Sequence, residues 1–497
     1  MGVVIKQSFW GTFIAYLGVI VGYVNTLYLR AEYFDLAQIG VFTLVTANAM
    51  IVSPISSFGM GSSFIKYFPS FKEERRDEFF TFLFLITLVG NLLVLLVLFL
   101  FKDSITARYL ETAPMYADYI AITGVIIVSN SFFELFFSYS RTILKVVFPS
   151  LLRDIYLRIG SLFVVLGYAL SWWGFSTAVV GLGLVYLLAF IFLLLQLITT
   201  HNFRFKFNFE FIDREWKAKL FKFGTYSMML AGSFALINNI TYDQVTTILG
   251  SDMNGIYTTC FFIALIVEMP RRNMAKVISP IISTEFDRKN MTEVDKLYKR
   301  SSITMSVIGF LLFIGIVTNL QDLFNFIPKG SAFQAGFWVV VGVCFAKLIL
   351  MASSFAGEII NYSHLYKYNL IFQVVAAVIL VGLNYFMISS WGLNGAAISY
   401  VIAITIHVIL KLSFVKHHFG IHPFDRSHLP LFIIGVAVTV GAYFFQPAFH
   451  PVINIAIRSI LTVFVFIVLI YQFRISADIN KIIHSTFERF LKINLPK

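Results

Sequence analysis

Of the chain's 497 residues, 58% are hydrophobic and only 13% charged, a balance far outside globular usage that marks a polytopic membrane protein. The net charge of +12 is spread over many short segments rather than one face, so it reports topology and anionic lipid, not nucleic acid. Cys260 and Cys344 both lie in apolar runs, which excludes a disulfide framework and a cysteine metal site.

Runs able to cross about 30 Å of hydrocarbon, each of roughly 20 residues, predict fourteen spans. They are 9–29, 38–60, 79–101, 115–139, 153–172, 176–198, 220–242, 254–275, 301–320, 334–357, 369–389, 394–412, 429–446 and 452–472. The first has no small-residue cleavage site after it and reads as a retained helix, not a signal peptide. With the N-terminus inside, cytoplasmic segments together with the span ends beside them hold 31 of the 38 Lys and Arg residues, which puts both termini in the cytoplasm. The connections are too short for a soluble catalytic domain.

The chain repeats itself. Ile39-Gly40-Val41-Phe42-Thr43 opens the second span and Asn254-Gly255-Ile256-Tyr257-Thr258 the eighth, an offset of 215. Each is followed by a proline, Pro54 or Pro270, and then by a charged loop. Trp173-Gly174 and Trp391-Gly392 recur at an offset of 218, and Tyr139-Ser140 and Tyr362-Ser363 at 223. Six spans per repeat is an even number, so the halves share one orientation. The expected architecture is all-α: an N-lobe over 1–200, a cytoplasmic linker over 201–219 and a C-lobe over 220–415. Two further helices follow over 416–475, then a cytoplasmic interfacial helix over 476–497. The linker run from Phe203 to Phe211 alternates aromatic and polar residues, which predicts an extended strip with one apolar face at the inner leaflet.

Charges near hydrocarbon are costly and usually face partners, a cavity or the headgroups. On the eighth span Glu268, Arg272 and Lys276 form an i, i+4, i+8 stripe with Arg271 beside it, and Pro270 predicts a kink. On the tenth, Lys347, Ser354 and Glu358 recur at i, i+7, i+11. On the fourth, Glu134, Ser138 and Arg141 recur at i, i+4, i+7, and Asp243 closes the seventh. The expected cavity cations are Arg271, Arg272, Lys276, Lys347 and Arg141; the expected cavity acids are Asp243, Glu268, Glu358 and Glu134. His407, alone in the twelfth span with Lys411 one turn on, reads as a packed or cavity-lining histidine. No P-loop, nucleotide fingerprint or metal spacing occurs, so neither a metal nor a cofactor is expected.

Glu268-Met269-Pro270-Arg271-Arg272, the 281–300 loop ending Leu-Tyr-Lys-Arg, and Gly357-Glu358-Ile359-Ile360-Asn361-Tyr362-Ser363 resemble bacterial polysaccharide-biosynthesis flippases. These belong to the multidrug/oligosaccharidyl-lipid/polysaccharide exporter superfamily. The resemblance spans essentially the whole chain and is closest from Asp243 to Asn369. It implies two six-helix lobes around a central cavity that opens alternately to each side. It also implies an undecaprenyl-diphosphate-linked oligosaccharide, such as an O-antigen or capsule unit, as cargo. Membrane lipid is the other partner, and the expected working form is a monomer in the bacterial inner membrane. Asp243, Glu268, Pro270, Arg271, Gly357, Glu358 and Tyr362 match the family's motifs. The cavity acids would restrain the cations when no cargo is bound, or exchange with H+ or Na+. Two alternatives stand beside this: an ion-coupled multidrug exporter, which would want an acidic cavity, and an integral-membrane polymerase or acyltransferase, which would usually carry a long periplasmic loop.

Overall fold

The computed structural model describes residues 18, 20–201, 203–476 and 478–481, and the described residues are helical almost throughout, with no strand. The expected all-α fold is therefore observed. Of the first expected span, 9–29, residues 9–17 and 19 lie outside the described set, as do residues 482–497 of the expected interfacial helix. The remaining spans fall on helices. Those used below are α1 (Leu36–Ser56), α2 (Met60–Tyr67), α3 (Glu73–Leu100), α4 (Ile120–Thr142), α5 (Leu157–Ala169), α6 (Phe175–His201) and α7 (Arg214–Leu249). They continue with α8 (Ser251–Ala264), α9 (Met269–Asp287), α10 (Met291–Phe326), α11 (Phe337–Ala352), α12 (Ala356–Tyr362), α13 (Lys367–Phe419), α14 (His428–Phe444) and α15 (Pro451–Gln472). Ten helical segments among the described residues are long and apolar enough to cross a membrane. The difference from fourteen has four sources: the first expected span lies partly outside the described residues, α13 carries two expected spans, and α5 and α14 are short.

Helix ends follow from local chemistry. Asp35 and Gln38 form a capping box that starts α1, the Gln38 side chain accepting from the Asp35 amide at 3.0 Å. Asp213 caps α7, accepting from the Trp216 amide at 2.8 Å, and Asn290 caps α10 at 3.3 Å. The Trp-Gly repeat marks connections in both halves. Gly392 breaks α13 at φ +57° and ψ −136°, a conformation closed to residues with a Cβ.

Two compact units divide the chain at residues 258 and 259. The first has an aromatic core in which Phe64, Phe79, Phe80, Phe136 and Phe203 are fully buried. The 203–211 strip belongs to it and is not helical, as its period of two predicts, with a turn at 210–211. Its apolar face lies on α3 and the residues before it: ring centroids are 5.2 Å apart for Phe203 and Phe80, 5.0 Å for Phe205 and Phe84, and 5.3 Å for Phe211 and Phe71. In the second unit, Ile278, Ile282, Tyr298, Ile359 and Val415 pack one core, and Ile303, Ile314, Leu431, Phe466 and Ile470 pack another.

Candidate functional site

The eighth span is interrupted where its proline predicts. α8 ends at Ala264, a 3-10 turn runs from Leu265 to Glu268, and Pro270 sits in the first turn of α9. Proline suits that place, because the amide it lacks would have no helical partner there. The interruption leaves Glu268 at the N-terminus of α9, where a carboxylate is favoured by the helix dipole. Three cations meet it. Lys347 Nζ donates to Glu268 Oε2 at 2.6 Å, Arg272 Nη2 donates to the same oxygen at 3.3 Å, and Arg271 Nη2 donates to Oε1 at 3.4 Å. Arg271 also lies 3.6 Å from Glu358 and donates to the Ser354 carbonyl at 3.3 Å.

Burial grades this group. The side chains of Lys347 and Glu268 are 2% and 8% exposed, Arg271 19%, and Arg272 50%. Removing a charge from water costs several kcal/mol unless it is paired, and the ammonium–carboxylate contact offsets that cost at the deepest point. Three cations against two carboxylates leave the group positive. Arg271 Nε is buried with no hydrogen-bond partner among the described residues, so the fork still has a donor to offer.

The tenth span differs from expectation in its backbone. It is two helices, α11 and α12, joined at Ser354, whose φ of +50° is left-handed. Lys347, Ser354 and Glu358 still reach one group, because the break redirects α12 while Ser354 Oγ bonds Ser301 Oγ at 2.8 Å. Gly357 explains its own identity. A Cβ there would stand 3.1 Å from Lys411 Nζ, so the glycine makes room for a further cation next to Glu358. Lys276 is exposed and donates to Asn273 at 3.4 Å; the structure does not bring it to Glu268. His407 is buried and bonds the Phe372 carbonyl at 3.1 Å, the packed one of the two readings.

The other expected acids and cation lie in the first unit. Asp243 is buried, pairs with Arg108 at 2.6 Å and accepts from the Tyr109 hydroxyl. Burial and then the adjacent Asp243 carboxylate raise Tyr109 above the ordinary tyrosine pKa. Glu134 lies 3.9 Å from Arg153, not against Arg141. Arg141 and Arg153 both stack on Phe137, at 4.3 and 4.5 Å. Sequence reading missed Arg108 and Tyr109, which end the short polar helix Lys102–Tyr109 outside every expected span. Arg458, within the last expected span, is likewise absent from the expected site residues. Arg458 is buried and donates to Asp322 at 2.8 Å, to the Thr318 carbonyl at 2.7 Å and to the Phe445 carbonyl at 2.9 Å. Lone charges in two apolar runs, Asp322 and Arg458, were the available signal. No cluster of metal-ligating side chains occurs among the described residues.

The model of a family described as polysaccharide biosynthesis protein matches residues 35–327. No curated protein matches the chain by sequence. Among solved structures, the lipid II flippase MurJ in an inward closed conformation is similar at TM-score 0.75 and 14% identity, over 97% of this chain and 99% of that one. An inward-facing multidrug resistance MATE family transporter of the MOP superfamily is similar at TM-score 0.65 and 15% identity, over 82% and 94%. A MOP superfamily transporter from Pyrococcus furiosus is similar at TM-score 0.59 and 12% identity, over 84% and 94%. At these identities the likeness is one of fold.

Proposed function

The chain belongs to the polysaccharide biosynthesis protein family, and from that premise we propose that it is a flippase rather than an enzyme. Its cargo is an undecaprenyl-diphosphate-linked oligosaccharide, carried by alternating access from the cytoplasmic to the periplasmic leaflet of the bacterial inner membrane. Both termini are then cytoplasmic and the working form is a monomer. One observation carries the reading: the group on Glu268 holds more cations than carboxylates inside membrane-spanning helices.

A diphosphate in hydrocarbon carries about two charges, whose unpaired burial costs on the order of tens of kcal/mol by Born estimates. Arginine replaces the lost hydration with a planar fork that matches phosphate oxygens. Before cargo arrives, Glu268 and Glu358 hold Arg271 and Arg272 in place and keep their charge compensated. Arg272, half exposed, meets the diphosphate first; Arg271 follows by exchanging its carboxylates for phosphate. Each charged contact contributes about 1.5–3 kcal/mol. Glu268 and Glu358 are also the carboxylates through which H+ or Na+ could couple.

The test is translocation of the lipid-linked oligosaccharide by purified protein in liposomes, for wild type, Arg271→Ala, Arg272→Ala and Arg272→Lys. Both alanine variants lose cargo binding and transport at normal membrane levels, and the lysine variant recovers part of it because it keeps charge without the fork. Normal translocation by both alanine variants overturns the diphosphate role. Efflux of a cationic dye, with no movement of the lipid, supports the multidrug exporter instead.

A further inference from the structure

Between Ser53 and Ser63 the chain reads Ser-Pro-Ile-Ser-Ser-Phe-Gly-Met-Gly-Ser-Ser, small residues in a membrane-spanning region otherwise built from large ones. The run does local work at the junction of two helices. α1 ends at Ser56, Phe58 and Gly59 are both left-handed at φ +49° and +65°, and α2 restarts at Met60. Gly61 lets α2 approach α4, since a Cβ there would stand 2.7 Å from Ser138 Oγ. What the junction leaves open is a cavity of about 230 Å³, walled by α1, α2, α4 and α7.

Its polarity has a direction. Ser53 Oγ donates to the Ala49 carbonyl at 2.6 Å, Ser57 Oγ to the Pro54 carbonyl at 3.2 Å, and Ser138 Oγ to the Glu134 carbonyl at 2.8 Å. A hydroxyl whose proton is turned back to the backbone presents only lone pairs elsewhere. With the Glu134 carboxylate, these oxygens make an acceptor-rich wall. Against them stand the Arg141 guanidinium and the Asn130 amide, both lining the cavity. The Asn130 backbone is held within α4, while its side-chain amide makes no hydrogen bond to another described residue.

Such a wall wants a ligand with several donors close together and an acceptor or two facing the other way. Inorganic phosphate has the wrong sign for Glu134 and the serine oxygens. The volume lies below the range of about 300–1,000 Å³ typical of drug-sized ligands, so a single ring is the right scale. We propose that this cavity is a sugar site that takes one polyhydroxylated ring, Glu134 and the serines accepting from its hydroxyls and Asn130 and Arg141 donating to its oxygens. The proposal rests on the lipid-linked oligosaccharide reading above and assigns the first unit the recognition of sugar, whereas the group on Glu268 meets phosphate.

The experiment uses the full chain in lipid nanodiscs, with binding read by native mass spectrometry. The probes are undecaprenyl-diphosphate-linked oligosaccharide, undecaprenyl diphosphate without sugar, and a free hexose as competitor. Asn130→Leu fills the cavity, and Asn130→Ala only removes the amide should the larger residue prevent folding. Either variant is expected to weaken the glycosylated lipid about tenfold and to leave the sugar-free lipid unchanged. An unchanged affinity for the glycosylated lipid overturns the site, as does an equal loss for both lipids. Wild type binding the two lipids equally also overturns it, while leaving the carrier reading intact. Wild type binding neither lipid removes the carrier reading; hexose binding that Asn130→Ala abolishes then upholds the site for free sugar, and no hexose binding overturns it.

Discussion

Gly40 and Gly255, which hold matching places in the two sequence repeats, each press against the start of the other's helix. A Cβ on Gly40 would overlap the Ser251 carbonyl, and a Cβ on Gly255 would overlap the Leu36 carbonyl. Leu36 and Ser251 are themselves related by the repeat offset of 215, so the contact is reciprocal about a local pseudo-twofold. Asn254, fully buried, closes it by donating from Nδ2 to the Gly40 carbonyl at 3.0 Å.

That reciprocity predicts a thermodynamic coupling. Gly40→Ala and Gly255→Ala are each expected to cost about 1–3 kcal/mol through overpacking. Residues sharing one contact couple by about 0.5–3 kcal/mol. Once either methyl has parted the backbones the second costs less, so the double variant falls short of the sum. Thermal unfolding of the four proteins in detergent measures this. Strict additivity would show that the two glycines do not share a contact.

The Glu268–Lys347 pair predicts an asymmetry. Removing one partner of a buried pair costs about 3–5 kcal/mol. Glu268→Gln strands Lys347 and removes the carboxylate facing Arg272, while Arg271 keeps Glu358; Lys347→Met leaves Glu268 held by Arg271 and Arg272. The glutamine variant is therefore the less stable of the two. Glu268→Gln combined with Lys347→Met recovers much of the loss, because Lys347 no longer has to be buried unpaired. Melting temperatures in detergent, compared at one pH, decide it; equal losses for both single variants would place the weight of the pair elsewhere.

The Asp243 network predicts an alkaline limit. Tyr109 has its pKa raised in the fold, first by burial and then by Asp243, above an unfolded value of about 10. Folding thus favours the neutral phenol. Its stabilisation is fully present below about pH 10 and is lost as pH rises further, because the unfolded chain releases that proton first. Tyr109→Phe is expected to be less stable at neutral pH, since Asp243 loses a donor, yet to lose stability less steeply above about pH 10. Parallel stability–pH curves for the two proteins would refute the role given to the phenol.

Much of the candidate site was legible from cost alone. Glu268, Arg271 and Lys347 stood in apolar runs, and a charge in hydrocarbon must find a partner or a cavity. Which partner it finds was not legible. Lys276 shares the helical stripe of Glu268 and Arg272 but turns outward to Asn273. Glu358 joins the group only because the helix breaks at Ser354, a non-glycine residue with left-handed backbone that no propensity announces. Asp243 pairs with Arg108 from a two-turn helix 135 residues away in sequence, too short and polar for its period to announce a partner.

Composition and period, read from the chain alone, determined that this protein is all-α, that it crosses a membrane many times, and that residues 203–211 are not helical. Those properties depend on hydrophobic length and on spacing, which are one-dimensional. Tertiary structure alone decided that Phe203 is buried at 2% exposure while Phe207, identical in local pattern, stands 68% exposed. It alone decided that three cations share Glu268, and that a run of serines and glycines opens into a cavity. Each is a matter of which surfaces meet, and packing and charge pairing are settled by neighbours that the chain brings together only when it folds.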